Sequence, residues 1–299
     1  MKELVVISGK GGTGKTSVLA SFAALARNAV LADCDVDAAD LHLVLAPEVR
    51  RREEFRSGRE AVIRQADCIR CGACLEHCRF EAVKTDGRAA GEATFTIDPF
   101  ACEGCGVCVR FCPAKAIDFP ERLCGEWYVS ETRFGPMVHA RLGIAAENSG
   151  KLVSTVRREA RRIAEERRLD WILVDGPPGI GCPVIASIAG ASLVLAVTEP
   201  TLSGEHDLER VLGLARHFGI PAAVCVNKWD INPALAKRIE ESACARGAAL
   251  AGRISYDRAV TAAQLAGKSA VEYGGQAGRE IRSLWRSIEA MQVSTKEGT

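Results

Sequence analysis

The sequence has no excess of either charge sign: 39 Lys and Arg against 38 Asp and Glu leave a formal net charge of +1. No whole-protein field therefore exists to draw in nucleic acid or an anionic membrane. A membrane-spanning run is missing too. The longest uncharged stretch, 176–198, is broken by Pro177, Pro178, Pro183 and four glycines. It reads better as a loop, a short helix and a buried strand at 193–197. No secretory leader is expected, because the apolar run 4–7 is cut short by the glycines that begin at Gly9. These absences predict a cytoplasmic protein. Core is not lacking. Of 299 residues, 47% are hydrophobic and 26% charged, and at about 150 residues per domain the length suggests roughly two globular domains.

Strands are predicted at 2–7, 29–33, 171–175, 193–197, 222–226 and 249–254. Helices are predicted at 15–28, 150–168, 203–217 and 233–246, with further helices to about residue 291. Strands alternating with helices imply an α/β fold, a mainly parallel sheet covered by helices on both faces. The alternation breaks after about residue 46 and resumes near 148. Within the gap lie a charged segment (48–60), two dense cysteine runs and a β-rich stretch (123–142). The cysteine-rich part is thus read as an insertion. The predicted α/β domain combines 1–47 with 141–299, a small α+β domain covers 60–120, and 121–140 is a β-rich connection. The basic run 157–168 mixes Arg with Glu and is expected as a solvated helix face. Ile281, Leu284, Trp285 and Ile288 have helical spacing and predict a docked terminal helix rather than a membrane anchor.

Gly9-Lys10-Gly11-Gly12-Thr13-Gly14-Lys15-Thr16 fits G-x-x-x-x-G-K-[ST] between a predicted strand and a predicted helix, with Ser17 following. Such glycines let backbone N–H groups turn inward around phosphate oxygens. Lys15 places a point charge on the β- and γ-phosphates, and Thr16 offers a hydroxyl to Mg²⁺. The helix N-terminus adds positive potential.

The extra lysine, Lys10, makes the loop resemble the deviant Walker A motif of MinD/ParA-type ATPases. That resemblance covers about 1–46 and 140–275. It implies an ATP-dependent homodimer in which Lys10 reaches the facing subunit's nucleotide. Asp33-Cys34-Asp35 resembles switch I, and Asp35 would orient or deprotonate the attacking water. Asp175-Gly176-Pro177-Pro178-Gly179 resembles switch II. There Asp175 would bind Mg²⁺ through water, and the Gly179 N–H would sense the γ-phosphate. Asn227, before Lys228, matches the position that reads adenine.

Thirteen cysteines in a cytosolic chain of this size do not read as a disulfide framework. Cys68, Cys71, Cys74 and Cys78 recur as Cys102, Cys105, Cys108 and Cys112, each offset by 34 residues. Gly72 matches Gly106, and Ala82-Val83 matches Ala116-Ile117. The spacing C-x₂-C-x₂-C-x₃-C suits a [4Fe–4S] cube, whereas zinc sites pair C-x₂-C modules across longer gaps. Over about 64–120 the segment resembles a bacterial two-cluster ferredoxin. That resemblance implies that the fourth cysteine of each run serves the other cluster. One cluster would take Cys68, Cys71, Cys74 and Cys112, and the other Cys102, Cys105, Cys108 and Cys78. The first run ends in Cys78-Arg79, where the second has Cys112-Pro113. Cys225 and Cys244 are expected in the core. Cys182 lies at the spacing of a cluster-sharing cysteine in the nitrogenase iron protein, but 145–151 supplies no second one.

Together these features resemble a MinD-superfamily ATPase with an inserted ferredoxin domain. The function this implies is ATP-gated electron transfer, with ATP, Mg²⁺, two [4Fe–4S] clusters and a redox partner protein. Nucleic acid and stable membrane binding are not expected. A cluster carrier of the Mrp type and a MinD-like positioning ATPase with redox-sensing clusters are the alternatives.

Overall fold

The protein is described by a computed structural model over residues 1–89, 91–143 and 149–294, with side chains to residue 291. Along the chain run β1 (Lys2–Ser8), α1 (Lys15–Leu25), β2 (Ala29–Asp33), α2 (Leu41–Leu45), β3 (Glu48–Arg59), β4 (Val62–Ile63) and α3 (Ala73–Glu76). Then come β5 (Val83–Thr85), β6 (Phe95–Ile97), α4 (Val107–Phe111), β7 (Ile117–Asp118), β8 (Glu121–Thr132), β9 (Gly135–Leu142) and α5 (Ser149–Arg167). The remainder is β10 (Trp171–Pro178), α6 (Cys182–Ile188), β11 (Leu193–Thr198), α7 (Leu202–His217), β12 (Ala222–Asn227), α8 (Pro233–Ala245), β13 (Ala249–Ile254), α9 (Arg258–Leu265), α10 (Ala270–Tyr273) and α11 (Gly275–Ser294). Among the described residues the chain divides into two compact units. One is Met1–Glu53, Glu126–Leu142 and 149–294; the other is Glu54–Gly125 with Gly143.

The first unit is built on a nine-stranded sheet of order β13-β12-β11-β1-β10-β2-β9-β8-β3. From β13 to β9 every neighbouring pair is parallel. A strand buried on both faces needs a continuous apolar run, and LVVI, VLA, WILV, LVLAV and AVCV supply it. Helix α11 docks through Ile281, Leu284, Trp285 and Ile288, all buried. The Trp285 ring packs tilted against Phe22 of α1 at 5.0 Å and against Trp171 of β10 at 5.1 Å between centroids. Among the described residues no helix is long and apolar enough to cross a membrane.

Three segments differ from expectation. The charged stretch 48–60 forms β3, the sheet's edge strand, and the β-rich connection forms β8 and β9, of which β9 pairs with β2. An edge strand wets most of its side chains, so charge there is compatible with pairing and blocks further growth of the sheet. Arg51 pairs with Glu159 and Arg52 with Glu126. The charged side chains of 157–168 are exposed or half-buried except for Arg157, which is buried. Its guanidinium donates to Glu3 Oε1 at 2.7 Å and to the carbonyls of Ala186 at 2.7 Å and Ala189 at 2.9 Å. Cys225 is buried as expected, but Cys244 is exposed.

The second unit shows the repeat in its backbone. Strand β4 pairs with β7 and β5 with β6, both antiparallel, so each small sheet takes one strand from each half. Left-handed residues recur at the same offset: Arg70 (φ 59°) with Gly104 (φ 61°), Gly72 (φ 80°) with Gly106 (φ 72°), Glu81 (φ 52°) with Lys115 (φ 51°). Glycine is required at 104, where a Cβ would stand 2.2 Å from the Arg59 carbonyl. The core is small: Ala61, Cys74, Val83, Ala93, Phe95 and Ile117. A core of this size needs a second source of stability.

Candidate nucleotide site and cysteine hollows

The phosphate loop joins β1 to α1. Its neighbours are the carboxyl ends of parallel strands, where open α/β sheets bind ligands. Ser8, Asp33, Thr198 and Asn227 close β1, β2, β11 and β12 there, Asp175 lies in the C-terminal half of β10, and Glu199 follows Thr198. Gly12 (φ 79°) and Gly14 (φ 93°) turn the loop. Gly14 also faces Asn227, whose Nδ2 stands 2.5 Å from where a Cβ would lie. The Asn227 amide donates to the Thr13 carbonyl at 2.8 Å and accepts from the Lys228 N–H at 3.0 Å. The residue expected to read adenine thus also braces the loop. Gly179, expected to sense the γ-phosphate, donates its N–H to the Ser8 carbonyl at 2.9 Å.

Three carboxylates crowd the base of the loop. Asp33 and Asp175 are register partners on adjacent strands, and both are buried. Asp33 accepts the Asp35 N–H at 3.2 Å through one oxygen, while its other oxygen and both oxygens of Asp175 have no partner. Lys15, itself buried, lies 3.6 Å from Asp35. Burial pushes the Asp175 carboxyl above the usual range, against the pull of Lys15 and a nearby Thr16 hydroxyl. Burial and the charge of Asp175 raise Asp33 further, and burial raises Asp35 against Lys15. Buried carboxylate oxygens without partners beside a threonine hydroxyl are the donor set a hard divalent cation seeks. Asp175, Thr16 and Asp33 could hold Mg²⁺. Asp33 belongs to the switch I motif, but the sequence does not mark it as a ligand.

The lysines separate into two environments. Lys15 points into the carboxylates. Lys10 turns outward to the start of α7, with Nζ 3.3 Å from Thr201 Oγ1, 3.2 Å from Ser203 Oγ and 3.6 Å from Glu199 Oε2. The other Glu199 oxygen takes Lys228 at 2.5 Å. Gly9 lies against the same helix: a Cβ there would be 2.2 Å from Asp207 Cβ. Ser17 accepts a hydrogen bond from Gln264 of α9 at 2.9 Å. Sequence reasoning missed Glu199, Thr201, Ser203 and Gln264. For Glu199 the available signal was its place just beyond the end of a central parallel strand.

In the second unit the eight cysteines line two hollows. One is bounded by Cys68, Cys71, Cys74 and Cys112, with Ile69 and Phe95. The other is bounded by Cys78, Cys102, Cys105 and Cys108, with Phe80 and Glu103. Each takes three cysteines from one run and the fourth from the other, because each small sheet joins the two halves. The thiols stand in different fields. Burial and the charges of Cys102, Cys105 and Cys74 push Cys108 up to about 11, and burial likewise raises Cys74. Burial also acts on Cys78, but the N–H groups of Phe80, Val83, Ala82 and Glu81 outweigh it, so that thiol is lowered. The Ala116 N–H points at Cys112 Sγ at 3.3 Å. Among the described residues no three His, Cys, Asp or Glu side chains converge where one metal ion would sit. A cube needs no such point, since each of its four irons takes one thiolate. Cys182 is exposed at the start of α6; residues 145–148, part of the 145–151 stretch where a counterpart would stand, lie outside the described residues.

Comparison with known proteins gives the same frame. Residues 4–270 match the CobQ/CobB/MinD/ParA nucleotide binding domain. The uncharacterized protein MJ0578 of Methanocaldococcus jannaschii is 37% identical over 233 residues, 77% of this chain and 79% of its own length. Septum site-determining MinD of Pyrococcus horikoshii, solved with Mg-ADP, aligns at TM-score 0.56 and 16% identity over 97% of this chain and 96% of its own. A chain of the MinC:MinD cell division protein complex of Aquifex aeolicus aligns at 0.57 and 18% over 97% of this chain and 96% of its own. The matched span holds the loop, the carboxylates and the strands that carry them, and the chain belongs to the CobQ/CobB/MinD/ParA nucleotide-binding family.

Proposed function

We propose that this chain is an ATP-hydrolysing switch that dimerises on ATP and controls electron transfer through two [4Fe–4S] clusters in its inserted unit. The observation that carries the electron-transfer part is the pair of hollows, each bounded by four cysteines drawn from both halves of the repeat.

In the nucleotide site, the loop N–H groups and Lys15 hold the β- and γ-phosphates, and Thr16 and Asp175 hold Mg²⁺. Asp35 positions the attacking water and accepts its proton as the bond from the bridging oxygen to the γ-phosphorus breaks. Binding draws Lys15 away from Asp35 toward phosphate, which frees the carboxylate for water. Mg²⁺, when bound, neutralises phosphate charge and relieves Asp175. Asn227, on a strand end beside the loop, couples base recognition to loop shape.

In the inserted unit, Cys68, Cys71, Cys74 and Cys112 hold one cluster and Cys78, Cys102, Cys105 and Cys108 the other. Such clusters, when bound, supply one-electron chemistry. The peptide N–H groups around Cys78 and Cys112 stabilise charge on sulfur. Glu103 stands at one hollow where the repeat places Ile69 at the other, so the two are electrostatically unequal. Ligands that bridge both halves suit retention rather than delivery, which argues against a cluster carrier.

The test is anaerobic purification, iron counting and paramagnetic resonance. About eight irons per chain are expected. Cys78→Ala should remove the cluster of Cys102, Cys105 and Cys108 and spare the other. Zinc without iron would refute the cluster reading. ATPase rates with the clusters reduced and oxidised should differ. Equal rates would favour the second reading, a MinD-like positioning ATPase stapled by its clusters, toward which the family match and the MinD-like fold point.

A further inference from the structure

Lys10 is not free. Its ammonium has three acceptors within 3.6 Å, all at the end of β11 or the start of α7: Thr201, Ser203 and Glu199. Glu199 is the charged one, and its side chain is only 15% exposed. It carries a second cation, Lys228, which sits at φ 55° directly after Asn227. Glu199 therefore ties the phosphate loop to the segment that follows β12. For Lys10 to reach a facing subunit's nucleotide, it must leave all three acceptors.

We propose that Glu199 is a positioning residue that holds Lys10 at home and so sets how readily two ATP-loaded copies close. The dimer half of this rests on the ATP-dimer reading above. Lys228 moderates the hold, because a carboxylate shared between two ammonium groups binds each less strongly than one serving a single cation. Glu199→Gln weakens the hold. Lys228→Met strengthens it, by leaving Lys10 as the carboxylate's only partner. The two variants therefore move dimerisation in opposite directions. A merely structural role for the Glu199–Lys228 pair would move both the same way.

An ion pair of this exposure contributes a factor of about two to five, and a dimer releases two of them. With a non-hydrolysable ATP analogue at saturation, sedimentation equilibrium should give Glu199→Gln a dimer dissociation constant about four- to twenty-five-fold below that of the native chain. Lys228→Met should lie above native, and Ser203→Ala slightly below. An unchanged or weaker Glu199→Gln dimer overturns the proposal. A second measurement needs no dimer. In the nucleotide-free monomer an amine-reactive ester should label Lys10 faster in Glu199→Gln than in the native chain, with exposed Lys237 as the internal reference. If the native chain fails to dimerise, the ATP-dimer reading falls while labelling still decides the hold. Equal labelling overturns the hold itself.

Discussion

Replacing Asp175 by Asn should make the nucleotide-free protein more stable and the Mg²⁺-nucleotide complex less so. Asp175 is 1% exposed, both its oxygens lack partners, and Asp33 is its register partner on the next strand. A buried polar group left unsatisfied costs about 1–3 kcal/mol, and more when charged. Removing the charge while keeping the shape should return roughly that much at neutral pH. The sign with pH follows from the raised carboxyl. The folded protein takes a proton at Asp175 more readily than the unfolded chain does. Native stability at this site therefore rises as pH falls from neutrality through the raised pKa toward the ordinary value near 4. The advantage of Asp175→Asn should shrink over the same window. With saturating Mg·ADP the order inverts, because a ligand that binds only the native state stabilises it by mass action and the variant loses that linkage. Urea unfolding at pH 7.5 and at mildly acid pH, with and without Mg·ADP, measures all of these quantities. An Asp175→Asn protein less stable than native without nucleotide at pH 7.5 would refute the reasoning.

Gly9→Ala should push the start of α7 off the phosphate loop, since its Cβ would fall 2.2 Å from Asp207 Cβ and 2.9 Å from the Asp207 carbonyl carbon. ADP affinity by calorimetry should drop; native affinity would show that the helix yields freely. Arg157→Ala leaves Glu3 buried with its charge no longer fully paired, and should cost about 3–5 kcal/mol in urea unfolding, with Arg157→Lys recovering part. His139 is held near 4 by burial and by His42, below its ordinary 6.5. The stability it confers is complete above about 6.5 and is lost as pH falls toward about 4. His139→Gln should flatten the pH dependence of unfolding between those limits; an unchanged slope would assign the acid lability elsewhere.

The α/β frame was legible because its signals are local. Apolar strand runs at 29–33 and 249–254 match β2 and β13 residue for residue, and the helix read at 150–168 is α5 shifted by one. The phosphate loop was legible for the same reason: its glycines and Lys15 must be contiguous to wrap one anion. The 34-residue repeat carried further than its cysteines, because Arg70 and Gly104, or Glu81 and Lys115, share backbone conformations that no composition displays. What the sequence could not decide was set by distance in three dimensions. A run as charged as 48–59 gives no apolar period, and becomes β3 only because β8 offers it an edge. Nothing local marks Arg157 among its neighbours as the arginine that meets Glu3, 154 residues away. Asp33 and Asp175 become one strained pair only when β2 and β10 pair in register. Lys10 gains its resting place only because α7 begins beside the loop. Sequence periodicity encodes which face of an element is apolar, and contiguous motifs encode one-loop chemistry. Which polar groups meet across the sheet depends on strand order and register, and those arise from the packing of the whole chain.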